Sequence, residues 1–441
     1  MFKSFANAWK LEDLRKKMLF TLLIVVLYRI GTALPVPFID ADVMSQWANA
    51  SSGSIFQFMN LLSGGAMSQA TLFALGVSPY ITASIVIQLL TVAIPALERL
   101  SKEGEEGKKK LNQWTRIATV GLALITAFGY YKILERGLDS SSGSRIPILT
   151  KTGWFPAIII IACFCAGSSI VMWLGERINE RGIGNGISII LFANIVSRLP
   201  SMLGNLWTAY LRNEEGKISL ILLGVGVIIF EILAVALIVF INDSERRLPV
   251  QYAKKVIGRK MYGGQNSTLP LKVNMTGVMP IIFASSIVSL PATIAMFFKT
   301  PAEGTFWYKF QQLFSQDGWL YAVLYGVLII AFAYFYVTIS FNPIEVSNNL
   351  KKNGGFIPGI RPGKPTSDYI TRVLNRITLI GAVFLLVIAV VPIIANIISG
   401  AKMSALAFTG SSIIIVVGVI LETGREIESQ MTMRHYKGFL D

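Results

Sequence analysis

Charge is scarce in this chain. Of 441 residues, 15% are charged and 53% are hydrophobic, a balance too apolar for an ordinary soluble domain. Catalytic groups are scarcer still. The single histidine, His435, stands in the C-terminal tail, and the sequence holds no Walker lysine motif and no metal-ligand spacing. That argues against nucleotide hydrolysis and metal-assisted chemistry, so no catalytic residue, metal or cofactor is expected. The two cysteines, Cys163 and Cys165, lie two residues apart in one apolar stretch. Their helical directions diverge, which makes them reduced packing residues rather than a disulfide or a metal pair. A cleavable signal peptide is not expected either. The first apolar stretch is too long and lacks a small-residue cleavage site, so it reads as an uncleaved anchor. The short connections leave no room for a separate soluble domain.

What the chain has in abundance is long apolar runs. Ten of them, near 18–37, 73–95, 115–134, 154–174, 184–204, 218–241, 274–298, 319–340, 373–398 and 403–421, match the length a helix needs to cross a bilayer. About 20 apolar residues span a hydrocarbon core of about 30 Å, where only helices and closed barrels satisfy their backbone. The connections alternate in positive charge. The N-terminal tail holds five cations (Lys3, Lys10, Arg15, Lys16, Lys17) and the connection 38–72 holds none. Segment 96–116 holds six, 242–273 seven and 341–376 six. Positive-rich loops face the cytoplasm, which places both termini there as well. The net charge of +15 is therefore no nucleic-acid signature. It lies mostly where it meets anionic lipid headgroups or an acidic or RNA-bearing partner.

Segment 55–65 breaks the pattern. Ile55, Phe58, Met59 and Leu62 fall at i, i+3, i+4 and i+7, the apolar face of a short helix. Such a helix reaches only about 17 Å, too short to span. Ser51, Ser52, Gly53 and Ser54 precede it, and Gly64 and Gly65 follow as hinges. A movable re-entrant lid and a helix lying flat on the outer surface are both compatible with this.

A repeat is visible as well. Gly76-Val-Ser-Pro-Tyr-Ile-Thr-Ala-Ser-Ile-Val-Ile-Gln-Leu89 and Gly277-Val-Met-Pro-Ile-Ile-Phe-Ala-Ser-Ser-Ile-Val-Ser-Leu290 agree without gaps at seven of fourteen positions, including Pro79 with Pro280 and Ile81 with Ile282. The second span runs inward and the seventh outward. An inverted repeat of five plus five helices has this property, with a functional path between its halves.

Five motifs then bring the chain to a family. They are Leu62-Ser-Gly-Gly-Ala66 with Phe73-Ala-Leu-Gly76 and Pro79-Tyr-Ile81; Glu180-Arg-Gly-Ile-Gly-Asn-Gly-Ile-Ser188; Arg246-Arg247 with Tyr252-Ala-Lys-Lys255; Leu269-Pro-Leu-Lys-Val-Asn274; and Pro358-Gly-Ile-Arg-Pro-Gly363. With these motifs in this order, the chain resembles the SecY family, the central subunits of protein-conducting channels, over nearly its whole length.

The resemblance implies an all-α integral membrane protein of ten helices in two inverted halves, 1–215 and 216–441. An hourglass pore would run between the halves, and cytoplasmic loops would lie at 242–273 and 341–372. The helix at 55–65 would be the plug, formed by Ile55, Phe58, Met59, Leu62, Gly64 and Gly65. Ile81, Ile85, Leu191, Ile282, Leu290 and Ile415 would form the pore ring, with Leu290 and Leu191 where isoleucine or an aromatic is familiar. Aliphatic tips dewet a constriction yet make no directional bond to a passing chain.

Further roles follow from the same resemblance. A lateral seam would run between the second and third spans on one side and the seventh and eighth on the other. Asn274 is its gate residue, and Gln88 or Thr91 is the expected partner. Arg246, Arg247, Lys254, Lys255 and Arg361 would dock the SecA motor or the ribosome. SecE and commonly SecG would be companion subunits. Signal sequences, secretory polypeptides and lipids would be the molecules handled, at the bacterial plasma membrane. Glu231 and Arg29, ionisable residues inside spans, carry no assigned role. A secondary transporter also uses inverted repeats, but it needs convergent charged groups where this chain offers aliphatics. An intramembrane enzyme needs the catalytic groups the chain lacks.

Overall fold

The computed structural model describes residues 2–50, 60, 63–136, 138–139, 145–206, 218–252, 255–257, 260–262, 266–295, 318–398 and 409–437. Among the described residues, each of the ten predicted spans overlaps a helix. In chain order the helices are α1 (Phe2–Lys10), α2 (Glu12–Gly31), α3 (Ala41–Ala50), α4 (Ser78–Ala93), α5 (Pro95–Lys102), α6 (Glu105–Arg136), α7 (Trp154–Arg181), α8 (Gly186–Leu206), α9 (Ile218–Asp243), α10 (Met279–Ala295), α11 (Trp319–Ser340), α12 (Pro343–Lys352), α13 (Lys364–Ile398) and α14 (Thr409–Lys437). Among the described residues, five helices are individually long and apolar enough to cross a bilayer, or six if the bent pair α4–α5 counts as one span.

The bend has a local cause. Pro95 forces the residue before it out of the helical region, and Ile94 is extended at φ −110°, ψ 113°. The chain turns by 102° there, so the predicted second span ends at Ala93 and its continuation becomes a separate helix. The span also starts later than hydropathy indicates, at Ser78 rather than 73. Other helices outrun their apolar windows at ends that carry Lys and Arg, among them α2, α6, α13 and α14.

Packing divides the helices into two groups. α2, α4, α6, α7 and α8 contact one another, as do α9, α10, α11, α13 and α14. Contact between the groups runs chiefly through α4 and α6 against α10, and α8 against α14. The largest core cluster lies along this junction and joins Ile81, Ile85, Ile190 and Leu191 to Ile281, Ile282, Ile414 and Ile415. A second cluster belongs to the first group alone, where Tyr130 packs on Phe164 at 5.0 Å and donates to the Met67 carbonyl at 2.5 Å.

The repeated stretches share local geometry as well as residues. Gly76 and Gly277 both take left-handed backbone, φ +54° and +61°, where a side chain is disfavoured. Helices follow at Ser78 and Met279, each with its proline as the second residue, where no amide hydrogen is needed. Ile81 and Ile282 amides then close the first turn onto the Val77 and Val278 carbonyls at 3.0 and 3.3 Å.

The expectation of a plain loop at 242–273 needs one correction. The predicted loop 242–273 is largely an antiparallel hairpin, β3 (Glu245–Tyr252) on β6 (Asn266–Lys272), with Leu248 opposite Leu269. Within its tip, β4 (Lys255–Ile257) pairs with β5 (Lys260–Tyr262). β7 (Gly355–Phe356) joins the outer edge of β3, giving the order β6-β3-β7. Inward Leu248 and Val250 alternate with exposed Arg247, Pro249 and Gln251, so one face is buried against the bundle. Two-residue strands β1 (Leu138–Asp139) and β2 (Arg145–Ile146) form a minor ladder.

Candidate functional site

Five of the six predicted ring residues come together. Ile81 and Ile85 on α4, Leu191 on α8, Ile282 on α10 and Ile415 on α14 are each at most 5% exposed and belong to one cluster. Ile81 and Ile85 stand one turn apart on one face of α4. Leu290 does not join them. It is 37% exposed and outside the cluster, because eight residues of helix carry it roughly 80° around α10 from Ile282.

The seam contact differs from the one expected. Asn274 does not reach Gln88 or Thr91. Its Nδ2 donates to Asn242 Oδ1 at 2.8 Å and to the Gly277 carbonyl at 3.3 Å, both in its own half. Thr91 Oγ1 donates back to the Gln88 carbonyl of its own helix at 2.7 Å, the usual habit of a threonine in an apolar span. Gln88 finds a different partner. Its Oε1 accepts from the Tyr336 hydroxyl on α11 at 2.9 Å, while its Nε2 donates to Ser84 Oγ at 3.1 Å. Tyr336 was not anticipated. The signal was a tyrosine within the aromatic run Phe332-Ala-Tyr-Phe-Tyr336, in a span that also carries Trp319, Tyr321 and Tyr325. Phe283 packs on Tyr336 at 5.1 Å and edge-on to Phe332 at 5.9 Å, so aromatics fill the α10–α11 side.

Of the plug residues, Ile55, Phe58, Met59 and Leu62 lie outside the described residues. Gly64 and Gly65 stand together in a turn. Both hold left-handed backbone, φ +68° and +92°, in a turn where the Gly65 amide donates to the Asn60 carbonyl at 2.9 Å. A Cβ on Gly64 would lie 2.7 Å from Asn194 Oδ1 and 2.9 Å from Arg29 Nη1. Glycine is thus required there by space and by conformation. Arg29 packs at the far end of α2 beside this turn. Glu231 is half-buried on α9 and makes no hydrogen bond or ion pair among the described residues.

The predicted docking cations are on the hairpin and its neighbour. Arg246 and Arg247 are exposed on β3, and Arg247 Nε pairs with Glu245 Oε1 at 2.6 Å. Lys254 lies outside the described residues, and Lys255 begins β4. Arg361 is exposed on a turn fastened at both sides. Ile357 is buried against Leu248, Leu271 and Ile370, and Thr366 Oγ1 donates to the Arg361 carbonyl at 2.8 Å. Ser347 Oγ also holds the Gly363 carbonyl, at 2.7 Å. One guanidinium is therefore presented on a fixed backbone. Behind this surface, burial and the nearby Arg425 push the Lys272 amino group below its ordinary pKa.

Comparison with known proteins agrees with this arrangement. The SecY family model matches residues 71–424. The protein translocase subunit SecY of Streptomyces galbus is 46% identical over 447 residues, covering 100% of both chains. Among solved structures, a protein-conducting channel superposes with TM-score 0.61 at 16% identity, covering 95% of this chain and 92% of that chain. Sec61 in a canine ribosome–channel complex from the endoplasmic reticulum gives 0.57 at 16% identity, covering 95% and 92%. At such identities, these structures speak to the fold.

Proposed function

The chain belongs to the SecY family, and we propose how its geometry serves that family's task. It is a multi-pass membrane protein and a translocase subunit, a protein-conducting channel component rather than an enzyme. Ten helices in two inverted halves, 1–215 and 216–441, enclose the path. Unfolded secretory polypeptides pass through the ring of Ile81, Ile85, Leu191, Ile282 and Ile415. Apolar segments leave sideways where α4 faces α10 and α11, a seam held by Gln88 and Tyr336. The segment 55–65 closes the external half at rest. Both termini and the hairpin face the cytoplasm of a bacterial cell, and Arg246, Arg247, Lys254, Lys255 and Arg361 receive the SecA motor or the ribosome. SecE and SecG complete the complex.

The observation that carries this reading is the convergence of aliphatic tips from four helices, two from each half, in one buried cluster. Such a junction has dispersion and shape to offer a passing chain and no polar group to retain it. A photo-crosslinking residue at position 415 or 282 is expected to capture a stalled secretory chain. The same residue at Ile229, 61% exposed on α9, is expected to capture lipid instead. Equal capture of the client from all three positions would remove the pore from this junction.

A further inference from the structure

We propose that Glu422 reads the basic flank of an arriving apolar segment, its carboxylate taking a Lys or Arg side chain of the transported chain at the cytoplasmic mouth. This rests on the pore reading above and names a specificity residue for it. Glu422 stands seven residues beyond Ile415 on α14, so it shares that residue's face about 10 Å nearer the basic end. Between them, Gly418 sets a close approach: a Cβ there would lie 2.3 Å from Val278 Cγ1. One turn further, Glu422 Oε2 lies 3.9 Å from where Gly277 would carry a Cβ. The carboxylate is thus at the lip from which α10 and its Ile282 begin.

The neighbouring charges of α14 are already engaged. Arg425 Nη2 donates to the Asn242 carbonyl and to Asp243 Oδ1, the latter at 2.7 Å, placing a cation at the C-terminus of α9. Glu426 Oε2 accepts from the Gly184 amide at 2.9 Å just before α8, and its Oε1 accepts from Gln430 Nε2 at 3.1 Å. These two residues fasten α14 to helix ends in both halves. Glu422 is exposed and, among the described residues, makes no hydrogen bond or ion pair. Glu426, Arg425 and Lys272 act on it electrostatically from nearby, but it has no direct partner among the described residues, inside a rim whose connections carry an excess of Lys and Arg. Cationic side chains flanking an apolar segment are drawn to it, and anionic ones meet the surrounding positive field.

The test compares two clients that differ only in the residues preceding their apolar segment, one with three lysines and one with none. Both are exported through the whole complex in membrane vesicles. Glu422→Gln keeps the side chain's shape and is expected to narrow the export ratio between the two clients roughly two- to fivefold, the range of a partly screened ion pair. Glu422→Lys is expected to invert the preference when the lysines are replaced by aspartates. A merely structural anion at the start of α10 would depress both clients equally and leave the ratio unchanged, which would overturn the proposal. Crosslinking from position 415 is run on the same complexes. Client capture there with an unchanged ratio refutes the Glu422 assignment alone, whereas no capture at 415 refutes the pore reading beneath it.

Discussion

Tyr336→Phe removes one hydroxyl from the seam and tests the lateral exit most directly. The ring stays against Phe283, and Gln88 keeps its bond to Ser84, so the perturbation is confined to the Tyr336–Gln88 contact at 2.9 Å. Hydrogen bonds between membrane helices average about 0.6 kcal/mol and reach about 1.7 kcal/mol. Loss of the bond should shift the closed-to-open ratio about 3- to 20-fold toward open. The variant is therefore expected to export clients with weak signal segments more readily, and to show more frequent open events in reconstituted bilayers. Gln88→Leu should behave in the same direction. Because Gln88→Leu already removes the Tyr336–Gln88 bond, together with the bond to Ser84, the double variant should exceed the Gln88→Leu single by little, whereas independent sites would add. Additive effects, or unchanged conductance and signal selectivity in both singles, would mean that α4 and α11 do not part there.

Three further outcomes are expected. Ile282→Asn or Ile415→Asn should wet the constriction and raise the ion leak of reconstituted channels, and unchanged leak and selectivity would make these positions ordinary packing. Arg361→Glu should leave expression intact but cut motor-driven export about 30- to several-thousand-fold, the effect of losing one side of a desolvated charge pair worth ~2–5 kcal/mol. Lys109→Glu, one charge among several on the α6 extension, should matter far less, and equal loss from both variants would reduce Arg361 to part of a diffuse basic surface. An impermeant thiol reagent applied to sealed cells should label a cysteine introduced at Ser45 and not one at Arg361, and the opposite pattern would reverse the topology.

Hydropathy and charge made the helices legible because both are local properties of composition, and each of the ten runs overlaps a helix among the described residues. The repeat was legible for a stricter reason. Gly76 and Gly277 satisfy a conformational demand that few residues meet, so their identity carries geometry. The bend at Ile94–Pro95 was readable from the proline but was hidden by a hydropathy window that averages across it. The hairpin was hidden by the density of Lys and Arg in 242–273, which read as a loop. Its alternation of Leu248 and Val250 with exposed neighbours was a strand signal of short length.

Partner choice across helices was the least legible feature, and Asn274, Gln88 and Leu290 show why. Helical periodicity assigns each residue a face, while the neighbour it meets depends on how far each helix extends and where it begins. Asn274 precedes α10 instead of lying within it, so its amide is level with Asn242 at the end of α9. Gln88, inside α4, needs a donor long enough to cross from α11, and a tyrosine hydroxyl is such a donor. Leu290 shares the repeat's sequence match with Leu89, yet a match along the chain fixes spacing and leaves azimuth relative to Ile282 to the helix. The same reasoning favours Glu422. Its spacing from Ile415 is seven residues, a separation that returns a side chain to the same face, and the close contact at Gly418 fixes which neighbour that face meets.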